Sequence, residues 1–155
     1  MAAMGPPGPR LLSHSIRIAR TRVWLYKIRM EKRQLGKAGP SVSAIGLGCW
    51  NFAGAYGPTS EKESHETLAV AKDLGINLID TANVYGMGVS ETVIGNYLRQ
   101  NPGHFRIATK AGICRDPSTG TRSFNNAPEH LRGELEASLK RLGVDHVEPV
   151  LHSSA

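Results

Sequence analysis

Long apolar runs are missing from this sequence. No segment approaches the roughly 20 consecutive apolar residues that cross a bilayer, so neither a membrane span nor a membrane partner is expected. Cysteine is scarce as well. Cys49 and Cys114 are the only two, and they provide neither a disulfide framework nor metal-ligand spacing. No metal site is expected, and a reducing, cytoplasmic compartment is the default, with both thiols read as buried or inert. Acidic residues are absent from residues 1–29, which hold Arg10, Arg17, Arg20, Arg22, Lys27 and Arg29. These six account for the whole net charge of +6, because the remainder carries thirteen basic and thirteen acidic residues. No basic stripe interleaved with aromatics follows, which leaves no footprint for a nucleic-acid partner.

Residues 1–29 open on Gly5-Pro6-Pro7-Gly8-Pro9, which starts neither a helix nor a paired strand. The Arg-rich, acid-free stretch after it sustains no helical or strand period. Its composition resembles a mitochondrial transit peptide, which would give a mitochondrial alternative for the compartment. Met30-Glu31-Lys32 stands directly before the first ordered pattern and favours an upstream extension of the coding frame instead. Disorder is expected of this leader in both cases. The whole chain, at 155 residues, is long enough for one core and too short for a complete eight-stranded α/β barrel of about 250 residues.

Residues 30–155 alternate between strand and helix patterns. Val42 to Leu47 is an apolar run, extending through Cys49 and Trp50, that predicts a first strand. Ser60 and Glu63 stand at capping-box spacing before a helix whose inner face would carry Leu68, Ala71 and Leu74, closed by Gly75. Ile76 to Asp80 predicts a second strand. Ser90 is expected to cap a second helix, with Val93, Ile94, Tyr97 and Leu98 inward. Phe105 to Thr109 predicts the third strand, ending at Lys110. A polar loop, Ala111 to Asn126, then leads to Pro128 in the first turn of a third helix. Leu131, Leu135, Leu139 and Leu142 would form that helix's stripe, Gly143 its end, and His146 to Leu151 the fourth strand. Alternation of this kind implies parallel strands with crossover helices, in either a barrel or an open doubly wound sheet.

In both architectures, ligands meet the carboxyl ends of the strands. Found there are Trp50 and Asn51, then Asp80 with Tyr85 in the following loop, then Lys110, then His152. Singly, each has a plain reading as a turn residue, a packed phenol, a solvated ammonium or a surface imidazole. Together they are complementary. Lys110 near Tyr85 would stabilise the phenolate left by proton delivery, Asp80 would hold Lys110, and His152 would donate to a substrate oxygen. Gly46-Leu47-Gly48 hints at a dinucleotide-binding turn, but no third glycine follows at the required spacing and no helix opens there.

Four segments, in order, resemble the aldo-keto reductase family. Gly75-Ile76-Asn77-Leu78-Ile79-Asp80-Thr81-Ala82, with Tyr85-Gly86 and Ser90-Glu91, is similar to that family's signature around its catalytic Asp and Tyr. Ile107-Ala108-Thr109-Lys110 resembles the strand ending in its catalytic Lys. Ser138 to Asp145 resembles the helix and turn before the strand that delivers its His. Leu35-Gly36-Lys37 and Ile45-Gly46-Leu47-Gly48 resemble its opening hairpin and first barrel strand. The resemblance implies a partial (β/α)₈ TIM barrel of about four βα units behind a short N-terminal hairpin. It implies NADPH-dependent reduction of aldehydes or ketones to alcohols, with Tyr85 as general acid, Lys110 and Asp80 supporting it, and His152 orienting the carbonyl. Trp50, Asn51 and Asp80 would border the NADPH. The family's second half supplies most of the cofactor site, and those segments are not in this sequence. Truncation, weak or absent activity alone, and self-association through open barrel edges are therefore expected. A non-catalytic interaction or regulatory protein that keeps the half-barrel is the alternative. Pro149 departs from the pattern, lying where a central strand should donate to its neighbour.

Overall fold

Strand order separates the two architectures that alternation allows. In the computed structural model, a four-stranded parallel sheet is made by β3 (Leu47–Gly48), β4 (Leu78–Asp80), β5 (Arg106–Ala111) and β8 (Val150–His152). Each strand lies beside its predecessor, in the order β3-β4-β5-β8, with no reversal. A doubly wound sheet reverses its order at a switch point; a barrel wall does not. The sheet is therefore an arc of a βα barrel, and the crossovers are α1 (Glu61–Asp73), α2 (Val89–Gln100) and α3 (Pro128–Leu142). The structure describes residues 30–116 and 118–148, with backbone alone at 150–152. The expected leader, residues 1–29, and Pro149 lie outside the described residues. No helix among the described residues is long and apolar enough to cross a membrane.

Two hairpins flank the sheet at opposite ends. The first pairs β1 (Lys32–Gln34) with β2 (Ser41–Ser43). Asn77, just before β4, fastens it: the Ser43 N–H donates to Asn77 Oδ1 at 2.6 Å, and the Asn77 N–H donates to Ser43 Oγ at 3.0 Å. This hairpin sits at the amino ends of the strands. The second pairs β6 (Ile113–Arg115) with β7 (Arg122–Phe124) and rises directly from the carboxyl end of β5.

The helices begin and end for local reasons. Ser60 Oγ accepts from the Glu63 N–H while the Glu63 carboxylate accepts from the Ser60 N–H, so the expected capping box forms. The Ser60 hydroxyl, donating to the Glu63 carboxylate at 2.8 Å, and then the Ser60 N–H hold that carboxyl below the ordinary carboxylate range. Pro128 opens α3, and Gly143 closes it at φ +68°, a left-handed conformation that costs glycine nothing. The core joins Phe52, Leu68, Ile79, Ile94, Ile107 and Leu142. Leu68 and Ala71 face it from α1, and Val93, Ile94, Tyr97 and Leu98 from α2. Gly95 is where α2 meets α3. A Cβ there would fall on the carbonyl oxygen of Arg141 and within 3.0 Å of the Leu142 backbone, so only glycine allows this crossing.

Four expectations need correction. Val42 to Leu47 is not one strand. Ser41–Ser43 belongs to the first hairpin, the barrel strand starts at Leu47, and Trp50 sits in a 3₁₀ turn, Trp50–Ala53. Leu74 is 55% exposed, because it follows the last helical turn and swings outward. Ser90 does not cap α2: the helix starts one residue earlier, after Gly88, and the buried Ser90 hydroxyl donates to the Cys49 carbonyl at 2.8 Å. Residues 111–126 are not all loop, since they contain the second hairpin.

Candidate active site

Lys110 leaves the carboxyl end of β5 with all three ammonium protons engaged. They go to Asp80 Oδ1, to the Thr81 carbonyl oxygen at 3.0 Å and to Tyr85 Oη at 3.3 Å. Asp80 ends β4, and Asp80 and Ala108 are register partners on β4 and β5, two residues from Lys110. The parallel register thus brings the carboxylate and ammonium together across the strand ends. Lys110 is mostly buried (24% exposed) and Asp80 half-exposed (45%). Solvent reaches the pair, so its value lies in fixing the ammonium rather than in net stability.

Tyr85 reaches Lys110 because its loop turns back sharply. Gly86, Met87 and Gly88 have φ of +62°, +55° and +93° in succession. Met87 pays strain of about 1 kcal/mol for a left-handed backbone, the kind of local cost that accumulates at functional loops. The Tyr85 ring packs on Trp50 with centroids 6.0 Å apart, and Trp50 in turn meets the edge of Tyr56 at 5.4 Å. Tyr85 and Trp50 border an open cavity of about 430 Å³, together with Ile113, Arg115 and Arg122 of the second hairpin. That volume lies within the usual range for small-molecule sites.

Of the residues singled out from the sequence, Asp80, Tyr85, Lys110 and Trp50 come together. Asn51 does not border the Tyr85 cavity. Its Oδ1 accepts the Tyr56 N–H at 2.9 Å, and it lines a separate groove with Pro58 and Thr67. His152 ends β8, in register with Ala111, one residue past Lys110. Its backbone is thus at the same rim, and its side chain is outside what is described.

The sequence reading missed a buried polar layer beneath the rim. Glu91, fully buried in the first turn of α2, accepts from Thr109 Oγ1 at 2.6 Å and from Arg141 Nε at 2.7 Å. Thr81 and Ser90 share a hydrogen bond at 3.0 Å beside it. Ser90-Glu91 was visible in the signature, but the partner Arg141 is 50 residues away, with nothing local to pair them. Arg115 and Arg122 were equally hidden, inside a stretch read as loop.

The two thiols differ. Cys49 is fully buried, and burial pushes its thiol far above the ordinary range, with the Asp80 carboxylate adding to this and Lys110 opposing it. Cys114 is half-buried, with Sγ 3.4 Å from His130 Nε2. Maleimide is therefore expected to modify Cys114 in the native protein and Cys49 only after denaturation. Intact mass before and after guanidinium checks this, and native labelling of Cys49 would contradict the burial argument.

A barrel wall with a Lys–Asp–Tyr cluster at its carboxyl rim places the chain among βα-barrel proteins with sites at the strand ends. Residues 44–152 match the Aldo/keto reductase family, and the chain belongs to that family. It is similar to the aldo-keto reductase yakc [NADP(+)] of Schizosaccharomyces pombe, with 40% identity over 110 residues, covering 70% of this chain and 32% of that protein. The NADH-specific methylglyoxal reductase of Escherichia coli is 35% identical over 131 residues, covering 77% of this chain and 40% of that protein. Among solved structures, PA4992 from Pseudomonas aeruginosa superposes with a TM-score of 0.70 at 42% identity, over 79% of this chain and 46% of the other. The chain thus spans about a third to two fifths of the length of these curated relatives.

Proposed function

We propose that the Tyr85 cavity reduces an aldehyde or ketone to an alcohol with NADPH, Tyr85 delivering the proton to the carbonyl oxygen. One observation carries this reading. The Tyr85 hydroxyl oxygen accepts from Lys110, and an ammonium accepts nothing in return, so the phenolic proton is left to donate elsewhere. Tyr85 itself lines the open cavity. As the proton leaves, the fixed Lys110 charge meets the developing phenolate, and Asp80 and the Thr81 carbonyl keep the ammonium from moving. His152, at the same rim, would orient the carbonyl.

The cavity also fits the flat end of a nicotinamide cofactor. Trp50 presents a half-exposed ring (45%) beside Tyr85, and Asp80 keeps an exposed edge toward the rim. A bound nicotinamide would supply the hydride. Trp50 and Asp80 are the residues of this chain that would border it, and most of the cofactor's contacts would come from outside this chain. NADP(+) in the name of the yeast relative supports NADPH, while the bacterial relative is named for NADH. The two free thiols support a reducing, cytoplasmic setting.

A second reading, an interaction or regulatory protein that keeps the half-barrel, is favoured by the outer strands of the sheet. Among the described residues, β3 and β8 each have one edge without a strand partner, and such edges recruit other chains, including a second copy. NADPH titration of the full chain, read by Trp50 fluorescence and followed by aldehyde turnover, separates the two. Saturable quenching that disappears in Trp50→Phe, with even weak turnover, is the expected result. No quenching up to millimolar NADPH would overturn the reductase reading and leave the interaction reading.

A further inference from the structure

We propose that the carbonyl substrate carries an oxyanion, a carboxylate or phosphate, held by Arg115 and Arg122 at the hairpin wall of the cavity; this rests on the reductase reading and narrows its substrate class. Side chains alternate along a strand, and register partners in an antiparallel pair share a face. On β6 the alternation sends Cys114 toward His130 of α3, and sends Ile113 and Arg115 to the other side, into the wall of the Tyr85 cavity. Arg122 is the register partner of Arg115 on β7, so it joins the same face. Two arginines thus share one face at directly opposed positions of an antiparallel pair and line the same cavity.

That arrangement is unfavourable by itself, because like charges at opposed positions repel. Both arginines are exposed, and the carboxylates nearest them are Asp116 and Glu134, which borders a neighbouring cavity with Arg115. Among the described residues, neither guanidinium has an ion pair or hydrogen bond. Asp116, the adjacent carboxylate, is spent on its own turn. It accepts from the Ser118 hydroxyl at 2.6 Å and from the Ser118 and Thr119 N–H groups at 2.8 Å each, which hold it down to about 2. The remaining cavity wall is apolar or aromatic apart from Tyr85. A planar fork of donors matches a carboxylate or phosphate, and an oxyanion between two of them would cancel the repulsion. With that group on the hairpin, the rest of the molecule extends across the Trp50 ring toward the Tyr85 hydroxyl.

The test uses the full chain and three nitroaromatic quenchers of Trp50: 4-nitrobenzoate, 4-nitrophenyl phosphate and neutral 4-nitrobenzamide, with Trp50→Phe as blank. One or both anions should bind about tenfold or more tightly than the amide, the scale of a charge-assisted hydrogen bond, and the better anion identifies the group. Arg115→Gln/Arg122→Gln should remove that preference, and Arg115→Lys/Arg122→Lys should keep part of it. Equal binding of amide and anions, or a preference that survives the double Gln variant, would overturn the proposal. So would a loss of NADPH affinity in the double Gln variant as large as the loss of anion affinity, which would make the arginines a cofactor-phosphate site. Turnover is scored separately with 4-carboxybenzaldehyde and benzaldehyde. Anion preference without turnover of either would sink the reductase reading and keep the oxyanion site. Equal turnover of both aldehydes without anion preference would do the reverse.

Discussion

Tyr85→Phe should lower NADPH-dependent aldehyde reduction by about 10²–10⁴-fold, the contribution expected of a positioned general acid. The substitution removes one oxygen and keeps the ring, so packing on Trp50 persists and the loop through Gly86, Met87 and Gly88 has no reason to rearrange. NADPH quenching of Trp50 should therefore be unchanged. Loss of an interaction used mainly in the transition state lowers kcat with little change in KM, and that split tells a chemical role from a binding role. Lys110 keeps two of its three acceptors, Asp80 and the Thr81 carbonyl, so the ammonium stays in place and the effect belongs to the hydroxyl. The measurement is NADPH absorbance loss with matched protein concentrations and circular dichroism on both proteins. A rate unaffected by the missing hydroxyl would take proton delivery away from Tyr85 and from the proposed reaction.

Much of this arrangement was legible in the sequence wherever a local rule had no competitor. Ser60 and Glu63 satisfy each other three residues apart, and Pro128 and Gly143 act through their own backbone conformations, so these ends read correctly. Asp80, Tyr85 and Lys110 were legible because strand ends in parallel sheets point to one rim, whatever the detailed register. Ser90 misled because a hydroxyl near a helix start fits a cap equally well. Tertiary structure offered it a better acceptor, the Cys49 carbonyl 41 residues away. The second hairpin was invisible for a different reason. Ile113–Arg115 and Arg122–Phe124 are three residues each, shorter than any run in which alternation can be recognised, and their pairing is set by the turn around Asp116. The pairing of Arg115 with Arg122, and of Glu91 with Arg141, depends on such non-local geometry and has no signature in the chain.

The pair of Glu91 with Arg141 predicts the largest stability effect. Arg141→Met should destabilise the fold by about 3 kcal/mol, the low end for a buried ion that loses its partner. The low end applies because Glu91 retains two supports, the Thr109 hydroxyl and the first turn of α2, where unpaired N–H groups favour negative charge. The corresponding fall in melting temperature is on the order of 10 °C for a chain of this size. Glu91→Gln/Arg141→Met should recover much of the loss, because a neutral amide leaves no buried charge and still accepts from Thr109. That recovery is the informative arm, since packing also depends on Arg141. Its stem lies against Gly88, and its Nη2 donates to Ser138 Oγ at 3.1 Å. If the double variant melts no higher than Arg141→Met, the loss is one of packing between α2 and α3, and Glu91 is not held by charge. If it recovers, the buried carboxylate is what ties α3 to the strand that presents Lys110. In that case turnover in Arg141→Met should fall beyond what its unfolded fraction explains, because Thr109 and Lys110 are neighbours on β5.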